Sequence, residues 1–332
     1  MAWNFLNKED ITPMLSLREG EEKWGQHFSF VSGLDDLESS EAPFVILGVE
    51  EDFGVLGNHG VGGTQKAWKN LLPVLVNVQE NQFLSGKDVI LLGSYKPTKL
   101  YETLGLQATP ERARKAVETV DAEVGAAVEK IVGAGKIPIL IGGGHNNAYP
   151  LLAGTSKGLK SKINAINLDP HADFRPLEGR HSGNGFSYAK DEGFLNNYFL
   201  LGLHQNYNSD EMIKRLLATP GFEVHFQDHW IQGKGSLVGS LTSFMERLPE
   251  DPYGVELDLD AIEYMPTSAI TPSGVSLNDA RLYTRTTGAH KNARYLHLPE
   301  GRPIGEATAD KMLAKATTYL ITDFIKAKNS KR

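Results

Sequence analysis

Residues 163–173 read INAINLDPHAD. The first six, Ile163–Leu168, form a short apolar run typical of a buried strand in a parallel sheet. The next five place Asp169, His171 and Asp173 at alternate positions, so on an extended chain their side chains point to the same side. This stretch therefore predicts a buried strand whose carboxyl end carries a cluster of acidic and imidazole groups.

Seven further runs of this kind lie along the chain, most of them separated by segments with helical spacing. The clearest helix is predicted over Pro110–Ala134, with Thr109 as N-cap and Gly135 as stop, and another over about Glu306–Lys326. Strands alternating with helices predict an α/β fold with a parallel sheet covered on both faces. The other predicted strands are Phe44–Val49, Val89–Gly93, Ile137–Gly142, Tyr198–Leu203, Phe222–Phe226, Tyr253–Asp258 and Ala293–Leu298.

Composition and organisation narrow the class of protein. No linker or internal repeat divides the 332 residues, so we predict one domain over residues 1–332, with an irregular N-terminal extension over residues 1–40. A net charge of -7 offers no basic surface for nucleic acid, and the absence of cysteine excludes thiolate metal sites. With no signal peptide and no apolar run near the ~20 residues of a membrane helix, we expect a cytoplasmic protein without a membrane partner.

Polar side chains also follow two other predicted strands. His145 comes after three glycines, and Asp258 and Asp260 end the run that begins at Tyr253. In open parallel sheets ligands bind beyond the carboxyl ends of the strands, so we expect these groups to converge with those of residues 169–173. Two imidazoles and four carboxylates suit Mn²⁺ or a similar first-row ion. Four carboxylates without cations would raise one another's pKa values, so we predict two divalent ions rather than one.

Each cluster taken singly has a structural alternative. His145 could be a structural residue after the glycines, and Asp169 could cap a loop or a helix. A D-x-H-x-D pattern after a buried strand has no common structural purpose, however. Since three clusters occur in one chain, each at the end of a predicted strand, the metal-site interpretation is favoured.

With these motifs the sequence resembles the ureohydrolase superfamily (arginase, agmatinase and formimidoylglutamase) over about residues 45–325. The resemblance implies an arginase-like three-layer α/β/α sandwich with a parallel sheet of about eight strands, a homo-oligomer, and two Mn²⁺ ions, for which Ni²⁺, Fe²⁺ or Zn²⁺ are alternatives. It implies that one ion is held by His145, Asp169, Asp173 and Asp258, and the other by Asp169, His171, Asp258 and Asp260. Metal coordination would lower the pKa of a bound water and supply hydroxide, and we expect Asp260 to transfer the proton to the leaving amine.

The resemblance also indicates substrate-binding residues. Family members carry E-x-N-P after the last strand, where this chain has Glu300-Gly-Arg-Pro, so we expect Glu300 to pair with a cationic amidine or guanidine group. The alternative is an exposed loop glutamate. Phe186 stands where arginases have a histidine thought to shuttle protons, and His181 is the nearby histidine that could replace it. The other expected substrate-binding residues are Arg175, Ser182, Asn184, Asn58 and His59.

Phe186 agrees with the S-G-T-P-F pattern of formimidoylglutamases, and Arg175 stands two residues after the D-x-H-x-D motif, where that branch carries an arginine. A guanidinium there would suit a dicarboxylate substrate and repel cationic arginine or agmatine. We therefore expect hydrolysis of N-formimidoyl-L-glutamate to L-glutamate and formamide, a step of histidine breakdown. Asn146 and Glu256 depart from that branch, so the chain is a divergent member. Two alternatives stay open: a guanidino-compound hydrolase that releases urea, and a catalytically silent metal-binding protein of the same fold.

Overall fold

The structure is a computed structural model of the chain and describes residues 2–105, 109–247 and 250–330. Within these ranges nine strands form one sheet: β1 (Trp3–Phe5), β2 (Phe44–Val49), β3 (Val89–Tyr95), β4 (Ile137–Ile141), β5 (Ile163–Leu168), β6 (Leu195–Leu203), β7 (Phe222–Phe226), β8 (Tyr253–Leu257) and β9 (Ala293–Leu298). Their order is β1-β3-β2-β4-β9-β8-β5-β6-β7. Every neighbouring pair is parallel except β1 and β3.

The described residues also form twelve α-helices: α1 (Lys8–Ile11), α2 (Phe53–Gly57), α3 (Ala67–Leu75), α4 (Thr98–Leu104), α5 (Pro110–Gly133), α6 (Ala148–Leu159), α7 (Gly185–Asp191), α8 (Asp210–Ala218), α9 (Gln227–Ile231), α10 (Leu237–Arg247), α11 (Leu277–Gly288) and α12 (Ala307–Asn329). The two predicted helices are α5 and α12. Thr109 caps α5 by accepting a hydrogen bond from the Arg112 N–H, and Glu306 caps α12 in the same way. None of the described helices combines the length and apolar character needed to cross a membrane.

Two apolar cores lie on opposite faces of the sheet. Along β2, Phe44 and Ile46 belong to one core, whereas Val45 and Leu47 belong to the other, because successive side chains of a strand point to opposite faces. Helices α3, α10, α11 and α12 cover the first face, and α5, α6, α7 and α8 cover the second. The predicted three-layer α/β/α sandwich is therefore confirmed.

The N-terminal segment differs from the prediction. Instead of an entirely irregular extension over residues 1–40, Trp3–Phe5 forms β1 and pairs antiparallel with β3 at the edge of the sheet. Trp3 packs against Tyr95, with ring centroids 5.4 Å apart. The strand has only three residues and is partly exposed, so no apolar run marks it in the sequence. Over the described ranges the sheet thus has nine strands rather than about eight, and one of them is not parallel to the rest.

Candidate metal and substrate site

Four neighbouring strands end in the polar groups that the sequence indicates. β4 leads to His145, β5 to Asp169–Asp173, β8 to Asp258–Asp260 and β9 to Glu300. Because β4, β9, β8 and β5 are adjacent and parallel, their carboxyl ends lie side by side at one edge of the sheet. The six predicted metal-binding side chains all come together there.

Three aspartates surround the Nδ1 atom of His145. It lies 3.1 Å from Oδ2 of Asp169, 2.9 Å from Oδ2 of Asp173 and 3.0 Å from Oδ2 of Asp258. Two ligand atoms each ~2.1 Å from one ion and ~90° apart are separated by ~3 Å, the spacing expected in octahedral coordination. These four side chains therefore have the spacing, and the three carboxylate oxygens and one imidazole nitrogen, that suit one divalent first-row ion.

Asp169 faces both halves of the site. Its Oδ2 atom points to His145, while Oδ1 accepts a 2.7 Å hydrogen bond from the His171 N–H and lies 3.6 Å from the His171 Nδ1 atom. That Nδ1 atom is 3.8 Å from Oδ2 of Asp260, a wider spacing than in the group around His145. The positions fit a second cation beside the first, with Asp169 between the two.

So many ionisable side chains buried together would be unfavourable in their charged forms unless cations balanced the charge. Burial, together with Asp260 and Asp169, raises the pKa of Asp258 well above its usual value. Burial alone would lower the pKa of His171, but Asp169 and Asp260 outweigh it and raise the pKa to about 10. The metal-free protein would therefore keep protons in this cluster, and divalent cations are the groups that would replace them.

Glu300 is buried rather than exposed, so the loop-glutamate alternative does not describe it. Its Oε1 atom accepts a 2.6 Å hydrogen bond from the His145 N–H, and its Oε2 atom is buried without a hydrogen-bond partner among the described residues. Burial and the nearby Asp260 raise the pKa of Glu300 to about 8. A cation placed beside Oε2 would both satisfy that oxygen and favour the charged carboxylate.

Two residues of the site have left-handed backbone, with φ of 45° at Asp173 and 66° at Glu300. For a residue with a Cβ this conformation costs about 1–2 kcal/mol and persists only where the surroundings fix it. The Glu300 N–H donates to the Gly143 carbonyl, and its carbonyl accepts from the Ser268 N–H. Such a strained backbone that is held on both sides is typical of functional positions.

A cavity of about 430 Å³ opens beside the carboxylates and is lined by Arg175, Asn58, Ser182 and Glu300, among others. The Nε atom of Arg175 is 3.0 Å from Oε1 of Glu178, and about half of the arginine side chain is exposed. Asn58 donates a 3.3 Å hydrogen bond to the Ser182 hydroxyl, which joins two loops of the cavity wall. Four of the predicted substrate-binding residues therefore share this cavity.

The other predicted residues lie outside the cavity lining. His59 is exposed on the surface, and Asn184 is buried behind the cavity, where it accepts a hydrogen bond from Arg180. His181 is also buried: its Nδ1 atom accepts from the Gly183 N–H, and its Nε2 atom contacts Glu178. Burial lowers the pKa of His181 to about 4. Its role as a proton shuttle stays a prediction, and the engagement of both ring nitrogens counts against it.

Two contacts at the site are made by residues that lie outside the sequence motifs. The Tyr207 ring stacks on His171 with centroids 5.4 Å apart, and its hydroxyl forms a 2.9 Å hydrogen bond with Thr271. Asn167 donates a 2.9 Å hydrogen bond to Oδ2 of Asp169. Tyr207 gives no signal in the sequence, but Asn167 is a polar residue inside an apolar strand, two positions before Asp169.

Sequence comparison finds proteins that are similar to this chain. A family model described as the arginase family matches residues 43–325. The formimidoylglutamase of Streptococcus pyogenes serotype M3 is 26% identical over 277 residues, which cover 78% of this chain and 78% of that protein.

Solved structures share the fold at lower sequence identity. A Trypanosoma cruzi formiminoglutamase crystallised with Mn²⁺ is 18% identical, with a TM-score of 0.76 over 94% of this chain and 100% of that one. The Bacillus subtilis formimidoylglutamase is 16% identical, with a TM-score of 0.75 over 98% of this chain and 99% of that one. At these identities the likeness shows the arrangement of helices and strands.

Proposed function

The chain belongs to the arginase family, and from that premise we propose that it hydrolyses N-formimidoyl-L-glutamate to L-glutamate and formamide. The observation that carries the proposal is the pair of charged groups in one cavity. Glu300 presents a carboxylate oxygen that no described residue hydrogen-bonds, beside the candidate metal-binding cluster, and Arg175 lines the same cavity. N-Formimidoyl-L-glutamate carries a cationic amidine and two carboxylates, so it offers a partner to each.

The two ions would be held by His145, Asp169, Asp173, Asp258, Asp260 and His171, with Asp169 and Asp258 shared. When bound, two divalent ions supply an activated water and neutralise charge at the reacting centre. Manganese suits this donor set of carboxylates and imidazole. Support comes from the ~3 Å ligand spacing around His145 and from the Mn²⁺ in the Trypanosoma cruzi structure.

The protein side chains orient the amidine and supply the proton. Glu300 accepts hydrogen bonds from the amidinium nitrogens and so holds the formimidoyl carbon beside the aspartates. The oxygen of water bonds to that carbon, the bond from the carbon to the glutamate nitrogen breaks, and that nitrogen takes up a proton. Asp260 lines the cavity and is our candidate for carrying this proton.

Arg175 would recognise a substrate carboxylate. Among the described residues only its Nε is engaged, by Glu178, so the two terminal amino groups are available for a bidentate pair. A cationic guanidino substrate would meet the same guanidinium as a like charge. This is the reason for preferring formimidoylglutamate to arginine or agmatine.

The test is release of formamide or urea from a panel of amidines and guanidines. Formimidoylglutamate should be the best substrate, and Arg175→Ala should raise its KM by ~30-fold or more, the scale of ~2 kcal/mol for one lost charged partner. Arg175→Lys should recover part of the loss, and Arg18→Ala, at an exposed site in the N-terminal segment, should change nothing. Agmatine as the best substrate, with Arg175→Ala harmless, would assign the protein to the guanidino branch instead.

We also propose, from the family resemblance, that the protein is cytoplasmic, acts in histidine breakdown and forms a homo-oligomer. Sedimentation of the metal-loaded protein tests the assembly, and a sedimentation coefficient of a monomer of 36.4 kDa would contradict it.

A further inference from the structure

A fully buried glutamate lies next to the His145 ring, on the side away from the aspartates. Glu256 is in the interior of β8, and its Oε2 atom is 3.3 Å from the His145 Nε2 atom. The same oxygen is 2.6 Å from Nδ1 of His297, and Oε1 accepts a 2.6 Å hydrogen bond from the Tyr295 hydroxyl. An acidic residue in the middle of a buried strand is costly unless its partners are well placed.

The neighbouring strand holds this glutamate in place. In the parallel register of β8 and β9, Glu256 pairs with His297, and Gly254 pairs with Tyr295. A Cβ atom on Gly254 would lie 1.9 Å from the Tyr295 ring, so the glycine leaves the space over which that ring lies. The strand therefore carries a glycine where Tyr295 must pass to reach the Glu256 carboxylate.

The two ring nitrogens of His145 have different partners. Both face carboxylate oxygens, which only accept hydrogen bonds, so in the metal-free protein each nitrogen can be an N–H donor. If an ion took the Nδ1 lone pair, the proton of the neutral ring would be on Nε2, toward Glu256. Nδ1 is the atom that lies 2.9–3.1 Å from oxygens of the three aspartates. Metal-binding histidines are commonly oriented in this way by a group bonded to the other nitrogen.

We propose that Glu256, held by Tyr295 and His297, is a positioning residue that orients His145 and keeps its Nδ1 lone pair toward the metal site. The inference rests on the proposed function, since it concerns how the chain binds the ions. The ring has a further support, because Phe186 contacts it edge-on with centroids 5.3 Å apart. Phe186 constrains the plane of the ring, whereas Glu256 contacts one nitrogen and so distinguishes the two tautomers.

A purely structural role for Glu256 makes a different prediction. If the carboxylate only satisfied Tyr295 and His297 in the core, its replacement would lower thermal stability but would leave the metal affinity of the folded protein unchanged. If it positions His145, metal affinity should fall by about 10–100-fold, the usual effect of losing such a support.

The first experiment measures Mn²⁺ dissociation constants by chelator competition, with thermal unfolding of each metal-free variant as a check of folding. Glu256→Leu should raise the Mn²⁺ dissociation constant of the site that contains His145 by about 10–100-fold. Glu256→Gln keeps an acceptor oxygen for the imidazoles, so it should fold and recover part of the affinity. Tyr253→Phe removes a buried hydrogen bond to the Thr287 carbonyl but leaves the hydrogen bonds of Glu256 in place, so it should stay close to wild type. Unchanged affinity in both Glu256 variants, or an equal loss in Tyr253→Phe, would overturn the proposal.

The second experiment reads the tautomer directly. In protein loaded with diamagnetic Zn²⁺ and labelled with ¹⁵N-histidine, the His145 signals are identified by their loss in His145→Gln. We expect a protonated Nε2 and a metal-bound Nδ1 in wild type. Wild-type protein that loads two ions but shows the opposite tautomer would refute the positioning role and leave the proposed function intact. Wild-type protein that takes up no divalent ion would instead refute the proposed function itself.

Discussion

Replacing Glu300 by glutamine isolates the carboxylate charge beside the metal-binding cluster. The substitution keeps the shape of the side chain and an oxygen that can accept the 2.6 Å hydrogen bond from the His145 N–H. At the other position it exchanges Oε2, which is buried and has no hydrogen-bond partner in the described part of the chain, for an amide N–H₂ group. An amidinium nitrogen would then meet a donor in place of a carboxylate oxygen.

The expected loss follows from these contacts. A hydrogen bond to a charged group contributes ~1.5–3 kcal/mol, and removing one partner of a buried charged pair costs ~2–5 kcal/mol. A loss of ~3 kcal/mol corresponds to ~10²-fold in kcat/KM. The amidinium nitrogens keep their hydrogen bonds while the carbon becomes tetrahedral, so kcat also falls if the contact tightens in the transition state. We therefore expect Glu300→Gln to lose at least ~10²-fold in kcat/KM.

The assay is formamide release from formimidoylglutamate by protein with a measured metal content. Glu300→Gln should retain both ions and the thermal unfolding temperature of the wild type. Glu263→Gln is the matched control, because Glu263 is exposed and does not line the cavity. A nearly normal kcat/KM in Glu300→Gln would refute the reasoning, and a large loss in the Glu263 variant would move the substrate-binding role to that residue.

Two further predictions concern the metals and the pH dependence of stability. Protein reconstituted with Mn²⁺ should contain about two ions per chain. The Asp258→Ala variant should contain fewer, whereas Asp251→Ala, at an exposed position, should retain both. One ion per chain together with full activity of Asp258→Ala would contradict the binuclear site. The pKa of His181 is lowered from 6.5 to about 4, so the unfolded chain binds the proton more tightly than the folded protein does. The free energy of unfolding should therefore fall by up to ~3 kcal/mol as the pH drops from about 6.5 to about 4. His181→Asn keeps an acceptor for Gly183 and should lose this pH-dependent part, measured by urea unfolding from pH 7 to 4; an unchanged pH profile would show that His181 is not the titrating group.

The main fold could be predicted because buried parallel strands leave long apolar runs in the sequence. Seven of the eight predicted runs either match their strand or differ by at most two residues at one end, and β6 begins three residues earlier than its run. β1 could not be predicted in this way, since its three residues are partly exposed and their pairing with β3 depends on tertiary contact. Apolar periodicity reports burial, so an exposed edge strand leaves little trace.

The convergence of the metal-binding residues could be predicted for a related reason. Parallel strands place their carboxyl ends at one edge, so motifs far apart in the sequence meet once the strands are adjacent. The residues expected to bind substrate lie outside the strands, in segments whose conformations the strand pattern does not determine. His59 and Asn184 illustrate this, because each is close in sequence to a residue that lines the cavity yet does not line it itself.

Two residues that contact the candidate metal-binding groups lie inside strands, where the sequence shows only an unexpected polar side chain. Asn167 and Glu256 pair in register on β5 and β8, and each stands two positions before an aspartate of the cluster. Alternate residues of a strand point to the same face, so the position two before a ligand lies directly beneath it. Asn167 bonds to Asp169, whereas Glu256 reaches across to His145, which follows a different strand, β4. The spacing therefore indicates that a buried polar residue supports the site, but which ligand it supports depends on the packing between strands.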